Sequence, residues 1–348
     1  MAKHFYNRVG RVCSPMQTDF LERQVLEPKP GQVVVKIAAS AICGSDLHIF
    51  KGKHPSAPLP VTIGHEFSGD VAAVGEDVHN VKVGDRITVE PCIVCGVCNA
   101  CRRGEYGYCE NISFTYRNGD GAMADYVTVE APYVYKLPDS LSYEAGALIE
   151  PLSVAVHAVR RADIKLGETV LVIGAGAIGI LIAALCNKSG ASEVVVVDFS
   201  DNRLELAKEM GATSSINPKI QNFDDEVTRI TNGRGFDKTF ECVGLEATLL
   251  QAMMSLKKNG LATIVGIFEN PNITIPATRF ITHEIKIQGA QGYCWDFPIA
   301  IKFAKELNLE KLITHEFPLD RLQKALETCF DRTAGAVKVI LKPNSQEK

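Results

Sequence analysis

The chain has 348 residues, 46% of them hydrophobic and 22% charged, with a formal net charge of −4. That length suits two domains with separate apolar cores, and the proportions exclude a disordered or fibrous chain. An acidic balance with no long Lys/Arg run repels a phosphate backbone, so nucleic acid is not an expected partner. The N-terminus carries no apolar stretch of signal-peptide length, and the longest apolar runs are interrupted by glycine, so neither secretion nor a membrane span is expected. Eleven cysteines, an odd number, fit a reducing compartment, and the cytoplasm is the expected location.

Short β-branched runs bounded by Gly, Pro and Asp come first: GQVVVKIAAS (31–40), FSGDVAAVG (67–75) and VGDRITVEP (83–91). They predict a small barrel. Between them lie ICGSDLH (42–48) and GHEFSG (64–69), where Cys43, His65 and Glu66 offer a thiolate, an imidazole and a carboxylate. Zn²⁺ accepts all three, and three protein ligands leave a position open for water or substrate. Five cysteines follow at 92, 95, 98, 101 and 109. Cysteines this close in sequence are poorly placed to bridge one another but can turn around one ion, and four thiolates make a closed, structural site. A redox C-x-x-C device is the competing reading.

From about residue 153 the texture changes to strand, glycine turn and helix in alternation: TVLVIGAGAIGILIAALCNKSGA (169–191), EVVVVDFSDNRLELAKEMGA (193–212), DKTFECVG (237–244) and LATIVGIF (261–268). This predicts a parallel sheet with helices on both faces. After about 290 the rhythm stops. DFPIAIKFAKELNLEKLI (296–313) and LDRLQKALETCF (319–330) read as amphipathic helices, AVKVILKP (336–343) as a strand, and NSQEK (344–348) as a frayed tail.

The motif VLVIGAGAIG places Gly174, Gly176 and Gly179 between an apolar strand and an apolar helix, with Asp198 ending the next strand nineteen residues after the last glycine. Gly174 permits the turn, Gly176 leaves room for a pyrophosphate and Gly179 lets helix and strand approach. The helix start, Ala177 and Ile178 with it, offers N–H groups to the phosphates. Asp198 would bind ribose hydroxyls and repel a phosphate there, favouring NAD over NADP, although Arg203 lies close enough in sequence to soften that preference.

Taken in order, CGSDLH, GHEFSG, the cysteine lobe, IEPLSVAVHA (149–158), VIGAGAIG and THEFPLDRLQKALET (314–328) resemble the zinc-dependent medium-chain dehydrogenase/reductase family, in its sorbitol (polyol) and 2,3-butanediol dehydrogenase branch. The resemblance implies an α/β chain with a GroES-like β-barrel catalytic domain at 1–152, including a structural zinc lobe at 91–110. A Rossmann domain at 153–290 with a doubly wound parallel sheet follows, and 291–348 returns to the catalytic domain, with NAD lying between the two. The family's structural-zinc spacing matches Cys95, Cys98, Cys101 and Cys109 and leaves Cys92 over. Its catalytic zinc matches Cys43, His65 and Glu66 with water in the fourth position, and Glu150 falls where relatives place an acid that ligates the zinc or hydrogen-bonds its water. Ser45 and His48 match a proton relay through the cofactor ribose, Asp46 orients the zinc site, and Gly64 and Gly69 make tight turns around the ligand pair.

The implied reaction moves hydride from a secondary alcohol to NAD and leaves the ketone. Where the sorbitol dehydrogenase pattern has a tyrosine after the relay histidine and an Arg-Tyr pair, this chain has Ile49 and Gly292-Tyr293, with aromatic bulk in YCWDF. Those departures open the choice to a short vicinal diol beside a sugar alcohol or its phosphate, with Phe50, Phe114, Tyr293 and Trp295 as the expected pocket wall. L-threonine 3-dehydrogenase is the alternative activity, and a non-catalytic NAD-binding relative the alternative class. Family members imply a homodimer or homotetramer.

Overall fold

The β-branched run after residue 31 forms the central strand of the first sheet, Gln32–Ala41, with Val33, Val34, Val35 and Ile37 buried. The structure, a computed structural model, describes residues 6–25, 27–54, 57–114, 121–331 and 333–343. The expected frayed tail at 344–348 lies outside these residues. The sheet runs Val134–Lys136, Arg86–Val89, Glu66–Val74, Gln32–Ala41, Lys338–Lys342, Ile313–Pro318, and Tyr126–Glu130 also pairs with Gln32–Ala41. All pairings along it are antiparallel except that of the last two strands. Ile340 and Leu341 pair with Ala41 and Ser40, so the end of the chain completes a sheet begun near its start.

Two apolar cores hold this part together. Val9, Val35, Ile37, Phe67, Ile87 and Val89 fill one. Ile49, Phe50, Ile63, Met123, Leu322 and Leu341 fill the other, beneath the helix Leu322–Phe330. Contacts divide the chain into two units, Met1–Glu150 with Phe297–Lys348, and Pro151–Asp296.

The second unit is built on a six-stranded parallel sheet in the order Ser214–Ile216, Glu193–Val197, Thr169–Ile173, Phe236–Glu241, Leu256–Ile264, Lys286–Gly289. Thr169–Ile173 and Glu193–Val197 are nearly continuous apolar runs, TVLVI and EVVVV, as suits strands covered on both faces. The first strand in the sequence, Thr169–Ile173, has later strands on both sides, so the winding direction reverses there. The crevice outside the carboxyl ends of Thr169–Ile173 and Phe236–Glu241 is therefore the place where such sheets bind ligands.

Two helix expectations change in detail. The run 296–313 splits into Phe297–Leu307 and a 3₁₀ turn, Leu309–Leu312, because Asn308 takes a left-handed conformation at φ 47°. The run 319–330 begins as a 3₁₀ turn, Leu319–Arg321, before the helix proper. Among the described residues no helix is long and apolar enough to cross a membrane.

The helix Ala177–Lys188 sits as close to the end of its preceding strand as the backbone permits: a Cβ on Gly179 would stand 1.9 Å from the Gly174 carbonyl oxygen. Gly179→Ala should therefore cost about 1–3 kcal/mol through overpacking, read as a lower midpoint in chemical denaturation. An unchanged midpoint would show that helix and strand can separate without penalty.

Candidate active site

Cys43 precedes the helix Gly44–Phe50 as its N-cap, and Asp46, the third residue of that helix, folds back to accept a hydrogen bond from the Cys43 backbone N–H at 3.0 Å. This is the acidic half of a capping box. The other oxygen of the same carboxylate accepts from the Gly64 N–H at 3.2 Å and lies 3.7 Å from His65 Nδ1. Gly64 has φ +99°, and a Cβ there would meet the Met123 backbone nitrogen at 2.7 Å, so only glycine fits the turn that leads into His65 and Glu66. Gly69 is placed differently from expectation, inside the strand Glu66–Val74 rather than at a turn.

Asp46 thus draws together two segments far apart in sequence, and the donor atoms of Cys43, His65 and Glu66 lie within 4.8 Å of one another. His65 and Glu66 are buried, while Cys43 is half-exposed and gives the cluster an open side. Glu150, in the first turn of the helix Ile149–Ala162, is buried. It is not among the donors that meet within that distance.

Lys338 carries no signal at the level of sequence. Its ammonium is buried and donates to both oxygens of Glu66, 2.6 Å to Oε1, and to the Ile42 carbonyl at 3.3 Å. One lysine therefore faces Cys43, Glu66 and Glu150. Burial opposes a charge on His65, yet Cys43 and Asp46, with Glu150 adding to them, raise its pKa well above the ordinary imidazole value. Burial likewise holds the Asp46 carboxyl above its usual range although His65 pulls it down. A surplus of buried negative charge around a thiol, an imidazole and a carboxylate is the environment a divalent cation relieves, and the donor set fits Zn²⁺.

Ser45 and His48 are three residues apart on the helix Gly44–Phe50 and share its half-exposed face, whereas Asp46, Ile49 and Phe50 are buried. Phe50 is fully buried and stacks on Phe330 with centroids 6.0 Å apart, so it belongs to the core and not to a pocket wall. Ile49 is also core, which removes that position from any contact with substrate. Phe114 stands beside the cluster, its ring centroid 6.3 Å from that of His65. Tyr293 is buried. Trp295 is 59% exposed and holds φ +64°, a strained geometry for a bulky side chain. The neighbouring Asp296 secures that turn: it accepts from the Cys294 N–H at 2.9 Å, lies 2.8 Å from His157 Nδ1 and pairs with Arg160. His157 belongs to the IEPLSVAVHA stretch, and its partnership with Asp296 was not apparent in the sequence.

The sulfurs of Cys95, Cys98, Cys101 and Cys109 also lie within 4.8 Å of one another, with 3.5 Å between those of Cys95 and Cys109. Tetrahedral coordination at about 2.3 Å per bond sets sulfurs about 3.8 Å apart, which this arrangement fits. Backbone N–H groups of Val97 and Cys98 hold the Cys95 thiol down at about 6, as suits a metal-binding thiolate. Cys92 lies outside the group, buried in a two-residue strand paired with Ser113–Phe114.

In the second unit, Gly174 turns with φ +102° and Gly176 caps the helix that begins at Ala177 and Ile178. A Cβ at Gly176 would meet nothing within 4 Å, so the approach to the helix N-terminus is open to a phosphate. Asp198 follows the strand Glu193–Val197 and accepts from the N–H groups of Ala175 at 2.8 Å and Ser200 at 2.9 Å. It thereby fixes the glycine turn while remaining half-exposed. Arg203 lies in the first turn of the next helix, Asp201–Met210.

A family model of the alcohol dehydrogenase GroES-like domain matches residues 29–139, and one of the zinc-binding dehydrogenases matches residues 177–306. The sorbitol dehydrogenase of Bacillus subtilis is 37% identical over 319 residues, covering 90% of each chain. The D-arabitol-phosphate dehydrogenase of Enterococcus avium is 33% identical over 337 residues, covering 95% of each. Among solved structures, the 2R,3R-butanediol dehydrogenase of Bacillus subtilis superimposes with a TM-score of 0.89 at 33% identity, over 97% of this chain and 100% of that one. With relatives 33–37% identical over 90% or more of its length, the chain belongs to the zinc-dependent medium-chain dehydrogenase family, in its polyol branch.

Proposed function

We propose that this protein oxidises a secondary alcohol of a polyol, of a sugar alcohol or its phosphate, or of a short vicinal diol, to the ketone, with NAD as hydride acceptor. The observation that carries this reading is the meeting of Cys43, His65 and Glu66 within 4.8 Å in a chain that also carries a complete dinucleotide turn. Zn²⁺ held by those residues supplies a Lewis acid that lowers the pKa of a hydroxyl, and NAD takes up the hydride.

The chain's own residues do the rest. Asp46 holds the Cys43 and Gly64 segments in register. Ser45 would receive the hydroxyl proton, and His48, at the outer end of the relay, would release it to solvent. Phe114 shields the His65 side of the cluster from water. Glu150 adds negative charge that favours a cation, and Asp198 orients the adenosine ribose. Cys95, Cys98, Cys101 and Cys109 hold a second zinc that stabilises their loop.

The substrates named for the relatives share a secondary hydroxyl next to another oxygen-bearing carbon, which supports a vicinal-diol unit as the recognised group. Gly292 in place of an arginine supports a pocket with fewer hydrogen-bond donors than that of a sorbitol-specific enzyme. The same reading puts the protein in the cytoplasm as a homodimer or homotetramer. No disulfide joins any of the described cysteines, and the exposed Ile267, Ile275 and Ile281 of the second unit support association.

NADH formation across secondary alcohols, vicinal diols, sugar alcohols, their phosphates and L-threonine tests the function. Activity with one of the polyol or diol groups should vanish on chelation and return with zinc; activity with L-threonine alone would overturn the reading. Cys43→Ser should leave one zinc per chain and lower turnover by more than about 100-fold, the upper range for perturbing even a ligand's hydrogen-bonding partner. Cys101→Ala should lower thermal stability instead. Asp198→Ala removes hydrogen bonds to a charged group worth about 1.5–3 kcal/mol. The NAD dissociation constant should therefore rise roughly 10- to 100-fold, with discrimination against NADP relaxed, and equilibrium binding to both cofactors measures it.

A further inference from the structure

Lys338 belongs to the final strand, Lys338–Lys342, and its side chain is 6% exposed beside a Glu66 side chain at 1%. Its three ammonium protons are directed at Glu66 Oε1, Glu66 Oε2 and the Ile42 carbonyl, the last of these immediately before Cys43 in the chain. Both oxygens of a candidate zinc ligand are therefore engaged by a cation of the protein itself. Water does not screen a pair this deeply buried, so charge that Glu66 gives to Lys338 is charge it does not give to a metal.

We infer that Lys338 is a positioning residue that sets how firmly Glu66 holds the catalytic metal, weakening it as a ligand so that a substrate hydroxyl can displace it. This rests on the proposed reading of Glu66 as a zinc ligand. Two features separate the role from that of an ordinary structural ion pair. The ammonium engages both carboxylate oxygens, so whichever oxygen meets the metal shares its charge with Lys338. It also grips the backbone of the Cys43 segment, which fixes its distance from the cluster while Glu66 shifts between partners.

Removing the ammonium leaves the charge of Glu66 available to the metal. Lys338→Met should therefore bind zinc more tightly at the site that Cys43→Ser abolishes. The expected gain is at least about tenfold, the scale on which one adjacent charge moves a carboxylate equilibrium. The measurement is competition for Zn²⁺ against a chromophoric chelator on the full-length protein. Thermal unfolding with and without zinc gives a second readout, in which the gap between the two midpoints should widen. In a Glu66→Gln background the same substitution should change neither quantity. Lys338→Gln, which keeps length and a donor, should move both in the same direction and serves if the methionine variant does not fold.

Unchanged or weaker zinc binding in the Lys338 variants, or an effect that persists without Glu66, overturns the inference. If Cys43→Ser still binds two zinc ions, the ligand assignment itself is wrong and the inference falls with it. If Cys43→Ser loses one ion and the Lys338 variants bind zinc as the wild type does, only the role of Lys338 is overturned.

Discussion

The candidate active site depends on one buried carboxylate. Asp46 accepts hydrogen bonds from the backbone of Cys43 and of Gly64, which lie on a helix start and on the turn into a strand. Hydrogen bonds to an ionised acceptor contribute about 1.5–3 kcal/mol each, but only while the carboxylate stays charged in a site that opposes charge. Its nearest relief is His65, and beyond it whatever cation the cluster holds. The local backbone and the metal chemistry are therefore coupled: the ion that would suit Cys43, His65 and Glu66 also keeps Asp46 ionised and the segments in register.

The second unit solves the opposite electrostatic problem with different material. There the ligand to be held is an anion, and the chain offers backbone N–H groups at a helix start instead of side-chain cations. Asp198 resembles Asp46 in holding a turn by accepting from two backbone N–H groups. Unlike Asp46 it is half-exposed, and so can serve a ligand as well as the fold. Each unit thus spends an acidic residue on fixing a turn before any ligand arrives.

What could be read in the sequence was what is local. The glycine turn, the thiol spacing and the His-Glu pair each lie within a few residues, and chemistry restricts what such patterns can do. Phe50 was misjudged although the information was present: on a helix of this length Ser45 and His48 share one face, which turns Phe50 toward the other. Asn308 was missed because a left-handed residue interrupts an apolar pattern without altering its period. Lys338 and the His157–Asp296 pair could not be found in this way. A lysine in AVKVILKP looks like any strand lysine, and only the pairing of Ile340 with Ala41 carries it to the metal cluster. Tertiary partners of this kind leave no mark on either stretch of sequence.

That pairing also orders events in time. The strands Gln32–Ala41 and Glu66–Val74 are made before the second unit, yet the strand Lys338–Lys342 that joins their sheet is made after it. The second unit, by contrast, is one continuous segment, Pro151–Asp296, and has all its strands while the first is still incomplete. On the ribosome the cofactor unit can therefore be finished before the metal unit is. A growing chain carries Cys43, His65 and Glu66 throughout the synthesis of the second unit without the lysine that balances them, and the site reaches its working charge only after Lys338 has been added.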